Sequence, residues 1–210
     1  VGAWRDSLDS TTISYGESEL AGELRVCLTT SMWIELAEIT ELHEVYLAAI
    51  GRALAVAQHF EQTCRYVLTV AAIGAAHEGG SIDSLDDAKG LVEYLGRCML
   101  GQLVVRFDRL GEVSYEHLTI LDNGRAARNY VAHEAASIVS ECPESEDRIQ
   151  ARTVTLEGEV HNLVEADALV SEWSYFIQEQ ASLPEQHRIG YRPALTSWIL
   201  APIAGRLPKH

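Results

Sequence analysis

In the stretch GRAARNYVAHEAA, residues 124–136, Arg128 and Asn129 precede His133 among small apolar residues. At about 100° per residue of α-helix, Asn129 and His133 lie about 400° apart and share one face, with Arg128 about 140° from His133. Histidine is the side chain best suited to move a proton near neutral pH. An arginine fork binds phosphate and stabilises the charge of a pentavalent transition state. Asparagine fixes an imidazole tautomer or hydrogen-bonds a substrate. These three groups, Arg128, Asn129 and His133, suffice to cleave RNA without a metal. The ribose 2′-hydroxyl attacks the phosphorus, leaving a 2′,3′-cyclic phosphate and a 5′-hydroxyl. One imidazole does not easily serve as base and acid on opposite sides of a phosphate, so a two-fold dimer would supply the second His and Arg. The plainer alternative pairs Arg128 with acidic neighbours and leaves His133 satisfied at a packed interface.

Other site chemistries find little in the sequence. His77-Glu78 and His133-Glu134 each begin an H-E pair, but neither continues as a zinc-protease helix. There is no Glu-x-x-His for a di-iron bundle and no phosphate-binding glycine loop. No metal site and no cofactor are therefore expected. Cys27, Cys64, Cys98 and Cys142 are widely spaced and form no C-x-x-C, which reads as free thiols in a reducing compartment.

A net charge of -15 excludes a general nucleic-acid coat protein, because backbone phosphates are repelled unless arginines cluster locally. Arg106, Arg109 and Arg125, with Arg97 and Arg128, are the candidates for such a local groove. Ion pairing with the 31 acidic residues is the competing reading. A net acidic surface slows encounter with RNA, so modest activity, or activity governed by a partner, is expected. No apolar run approaches the roughly 20 residues of a membrane span, and a cytoplasmic protein without membrane contact is expected.

The elements that must position the motif are helical. Apolar residues from Tyr46 through Ala71 recur at three- and four-residue steps, predicting one long amphipathic helix from Glu44 to about Ala76. Ser84 with Asp87 resembles a capping box and opens a second periodic stretch reaching Leu110, with Gly111 as its stop. Ser114 is a plausible N-cap, and Asp122-Asn123-Gly124 either interrupts that helix or caps a new one carrying the motif. Leu163 to Ile177 forms a further amphipathic stretch that ends near Leu183-Pro184. The expected architecture is all-α, a four- to five-helix up-and-down bundle over residues 38–183 with arms at 1–37 and 184–210. The apolar segments Trp33–Ile39 and Trp198–Ile203 in those arms must be buried, against the bundle or against a second subunit.

The segment ARNYVAHE resembles the R-x(4-6)-H signature of the HEPN superfamily, in which a polar residue follows the arginine and the signature lies on a late helix of a four- or five-helix bundle. IGRALAVAQHFEQTCRYVLTVA is similar to the long early helix of such domains, with Glu61 as its core-facing acid. The resemblance covers about residues 40–183. It implies a homodimer with a composite cleft and a metal-independent endoribonuclease, a toxin or antiviral-defence effector working with an antitoxin or activating partner. Arg128 and His133 would be its catalytic pair and Asn129 the polar helper. It equally admits an inactive member serving as a nucleotide- or RNA-binding module or protein-interaction scaffold. One departure stands out: Ala135 occupies the position where HEPN toxins paired with a nucleotidyltransferase antitoxin usually carry tyrosine.

Overall fold

The computed structural model describes residues 40–80, 84–109, 113–135 and 146–204. The expected N-terminal arm and Trp33–Ile39 lie outside the described residues, as do Cys27, Cys142 and the expected helix end at Leu110 and Gly111. Among those described, the chain is all-α: α1 (Glu41–Glu78), α2 (Leu85–Gly96), α3 (Leu100–Arg109), α4 (Tyr115–Asn129), a π-helical segment (Tyr130–Glu134), α5 (Glu146–Glu179) and α6 (Glu185–Leu200), with no strand.

Helix α1 starts at Thr40, whose hydroxyl accepts the His43 N–H. Of its periodic apolar residues Tyr46, Ile50, Phe60, Cys64 and Leu68 are buried, while Ala49, Ala53 and Ala57 let neighbouring helices come close. α5 is the central element and packs against α1, α4 and α6. Residues 163, 164 and 166–170 are all buried, so the middle of α5 is enclosed on every side.

The second periodic stretch is two helices. Ser84 caps α2 as its spacing suggests, accepting the Asp87 N–H, but the helix ends at Gly96, a weak helix former. The Met99 N–H then turns to the side-chain oxygen of Gln102, which starts α3. The Cys98 carbonyl, released from helical bonding, accepts from Arg65 of α1. Side-chain partners thus replace the backbone bonds that a continuous helix would make.

Within 184–210, the segment expected as an arm, α6 packs against α5 and α1, and Ile199 and Ile203 join the common core. Arg52 of α1 donates to the Trp198 carbonyl at 2.6 Å and lies over the Trp198 ring.

Asn123-Gly124 carries no turn, and α4 runs through it without interruption. Gly124 is the point where α4 meets α5 and α1: an added Cβ would overlap that of Ala166 and press on the Phe60 ring at 3.2 Å. The lack of a side chain, not a turn conformation, is what this position requires. Gly124→Ala should therefore destabilise the fold by about 1–3 kcal/mol, overpacking outweighing the better helix propensity of Ala. Adding Ala166→Gly should recover part of that loss. Urea denaturation checks both, and an unchanged midpoint for Gly124→Ala would refute the contact.

Candidate functional site

The end of α4 brings Arg128 and Asn129 to the point where the helix changes character. From Tyr130 to Glu134 the backbone is π-helical, and the Ala135 N–H reaches the Tyr130 carbonyl five residues back. A π turn closes after five residues instead of four, so it winds less per residue. His133 is therefore rotated back toward the Arg128 side, relative to the α-helical register assumed from the sequence. Val131 and Ala135 stay buried and anchor the widened turn, while His133 is exposed.

Arg128 is partly buried, and Glu61 of α1 holds it in place. One carboxylate oxygen, Oε2, accepts from Arg128 Nε at 3.2 Å and from Nη2 at 2.9 Å. The other oxygen accepts from Arg65 Nη2 at 3.1 Å. Arg128 Nη1 leans on the Asn129 side-chain oxygen at 3.4 Å. Glu61 thus shares its single negative charge between two guanidinium groups and fixes the direction of Arg128, leaving donor hydrogens on Nη1 and Nη2 for another acceptor. Arg128 at 29% and Glu61 at 21% side-chain exposure sit at the edge of the core, where such a pair is stronger than a free surface pair.

The three arginines expected to contact RNA are spread along α3 and α4. Arg125 is paired with Asp122 at 2.8 Å and packs over Gly101. Arg106 bonds the Tyr94 hydroxyl and stacks over that ring, and Arg109 is exposed at the end of α3. Cys64 and Cys98 are free and buried. Burial, with the Asp167 and Glu61 carboxylates nearby, pushes the Cys64 thiol well above its ordinary range, so it stays protonated and unreactive. Among the described residues no cluster of three His, Cys, Asp or Glu could hold a metal.

A second polar constellation was not legible from the motif. Asp167, fully buried in the middle of α5, receives the Tyr191 hydroxyl of α6 on one oxygen at 2.6 Å and faces His59 Nδ1 of α1 across 2.7 Å on the other. In the sequence His59, like Glu61, reads as part of a polar stripe with core contacts on the first long helix, with reach across the bundle to the motif as the alternative, and Asp167 sits inside an apolar run. That acid within ADALV is the one signal available. The His59 side chain is 56% exposed, so solvent reaches the ring. Burial, then the bond to Asp167, pushes the Tyr191 hydroxyl above its ordinary range and keeps it a donor.

No family model, no curated protein and no solved structure matches the chain.

The hydrogen bond to Asp167 raises the pKa of His59 above 6.5; burial opposes it and the Asp167 charge adds to it. A raised folded-state value means that the His59–Asp167 pair stabilises the fold fully below pH 6.5, and that the contribution fades as pH rises through the higher folded value. Stability should thus fall from pH 5.5 to pH 8.5, and His59→Ala should flatten that slope. Chemical denaturation at both pH values measures it, and identical slopes in the two proteins would exclude the linkage.

Proposed function

We propose that the chain is a metal-independent endoribonuclease of HEPN type, acting as a two-fold homodimer in the manner of a toxin or antiviral-defence effector. The observation that carries this reading is a partly exposed Arg128, held at a fixed angle by Glu61, followed through a π turn by an exposed His133. Interrupted helices of this kind recur at functional sites. They cost regular hydrogen bonding and are retained where a side chain must be aimed.

In the proposed reaction, His133 of one protomer takes the proton of the ribose 2′-hydroxyl as the oxygen bonds to phosphorus. The P–O5′ bond breaks, and His133 of the second protomer returns a proton to the departing 5′-oxygen. Arg128 donates its remaining N–H groups to the non-bridging oxygens, where negative charge accumulates. Asn129 orients Arg128 through its side-chain oxygen. Arg125, Arg106 and Arg109 extend the basic surface along the substrate strand.

A second reading has an observation of its own. Because Arg128 already gives two N–H groups to Glu61, an inactive HEPN-like scaffold that binds nucleotides, RNA or a protein partner fits the same geometry. The purified chain, incubated with total RNA in EDTA, separates the two. Cleavage to 2′,3′-cyclic phosphate ends is expected, with losses of about 100-fold or more in His133→Ala and Arg128→Ala. A folded dimer that leaves the RNA intact would favour the scaffold.

A further inference from the structure

We propose a second binding site, for a small aromatic ammonium compound, in the cavity enclosed by α1, α3, α4 and the C-terminal part of α5. Its volume is about 500 Å³, within the range that accepts a compact organic ligand. It shares no residue with the Arg128–His133 site.

Both shape and charge of the cavity point to that ligand class. Trp173 of α5 meets Phe107 of α3 with ring centres 5.6 Å apart and planes tilted by 49°. His117 of α4 stands edge-on to the same indole at 5.6 Å. Phe176 lies at the mouth, 54% exposed, and Leu169 forms part of the buried floor. Stacked and tilted rings of this kind offer flat apolar faces to a planar ligand, and an indole face attracts a cation.

Glu172 supplies the charge. It lines the cavity beside Trp173, no lysine or arginine shares that lining, and it has no salt-bridge partner among the described residues; Arg188 and Arg192, which line neighbouring clefts with it, are each paired with another carboxylate. A carboxylate half-removed from water against apolar walls gains from a counter-ion that the ligand itself can bring. Phe107 and Ile177 belong to the last turns of α3 and α5, helix ends whose dipoles favour positive charge nearby. The opposing N-terminal turn of α4 is partly satisfied, since the His117 N–H is taken by the Ser114 hydroxyl. A ring to stack on Trp173 and an ammonium to meet Glu172 together define the occupant.

The test is calorimetric titration of the full chain with 1-naphthylmethylammonium, with neutral 1-naphthylmethanol and anionic 1-naphthoate as matched probes. The ammonium should bind most tightly and the carboxylate least. Glu172→Gln should weaken the ammonium at least about threefold and leave the alcohol unchanged, and Trp173→Leu should weaken all three. Absence of binding up to millimolar ammonium, equal affinity for the three charge types, or indifference to Glu172→Gln would each overturn the proposal.

Discussion

A carboxylate enclosed in the middle of the central helix constrains everything around it. Asp167 has no access to water, and an ionised group in that position is tolerated only with hydrogen-bonding partners on hand. Its two oxygens take theirs from different helices, His59 of α1 and Tyr191 of α6. Docking of α6 is thereby tied to the register of α1 on α5: a shift by one residue at either contact would strand the charge. Apolar packing of Ile199 and Ile203 supplies adhesion, which tolerates sliding, whereas the polar pair specifies one alignment. The Arg192–Glu165 pair lies along the α5–α6 interface, the clasp of Arg52 on Trp198 joins α6 directly to α1, and both act in the same direction.

Glu61 plays the corresponding part on the other side of α1. By accepting from both Arg65 and Arg128 it joins α1 to the link between α2 and α3, and to the end of α4. The close approach at Gly124 sets how far α4 stands from α1, and that distance decides whether the Arg128 fork reaches the carboxylate. A backbone contact one turn earlier thus controls the geometry of the motif, and the π turn beyond it controls where His133 faces. The motif residues depend on packing that none of them provides.

Much of this was legible in the sequence, and the parts that were not share a cause. The apolar rhythm of α1 is strong enough to read because one face is buried from His43 to Leu68, and Ser84 with Asp87 announces α2 because capping is local. Motif residues Arg128, Asn129 and His133 could be picked out by type and spacing. Asn123-Gly124 misleads as a turn signal because tertiary packing, with the Ala166 methyl and Phe60 ring against the glycine, overrides local preference. The break after Gly96 depends on Arg65, thirty-three residues before the Cys98 carbonyl it meets, and on Gln102. The π turn has no periodic signature, since one extra residue in a turn is settled by which neighbours bury Val131 and Ala135. Asp167 hides in an apolar run for the same reason. Its partners lie 108 positions before it and 24 after it.

The acidic composition takes on a sharper meaning once the pairs are placed. Arg65, Arg97, Arg125, Arg128, Arg188 and Arg192 each lie against a carboxylate, so the positive charge of the fold is largely spent internally. An incoming phosphate at Arg128 does not meet a free cation. It must share the guanidinium with Glu61, taking the N–H groups that Glu61 leaves, and long-range attraction does little to bring it there. Under the ribonuclease reading this favours a cleft in which a second Arg128 adds its charge, because two half-neutralised forks facing one phosphate restore the field that one alone lacks. The situation reverses at Glu172, which has no salt-bridge partner among the described residues and meets no lysine or arginine in the lining of the aromatic cavity. If both proposals hold, one fold with an acidic bias discriminates by sign between two sites, according to which carboxylates it has paired.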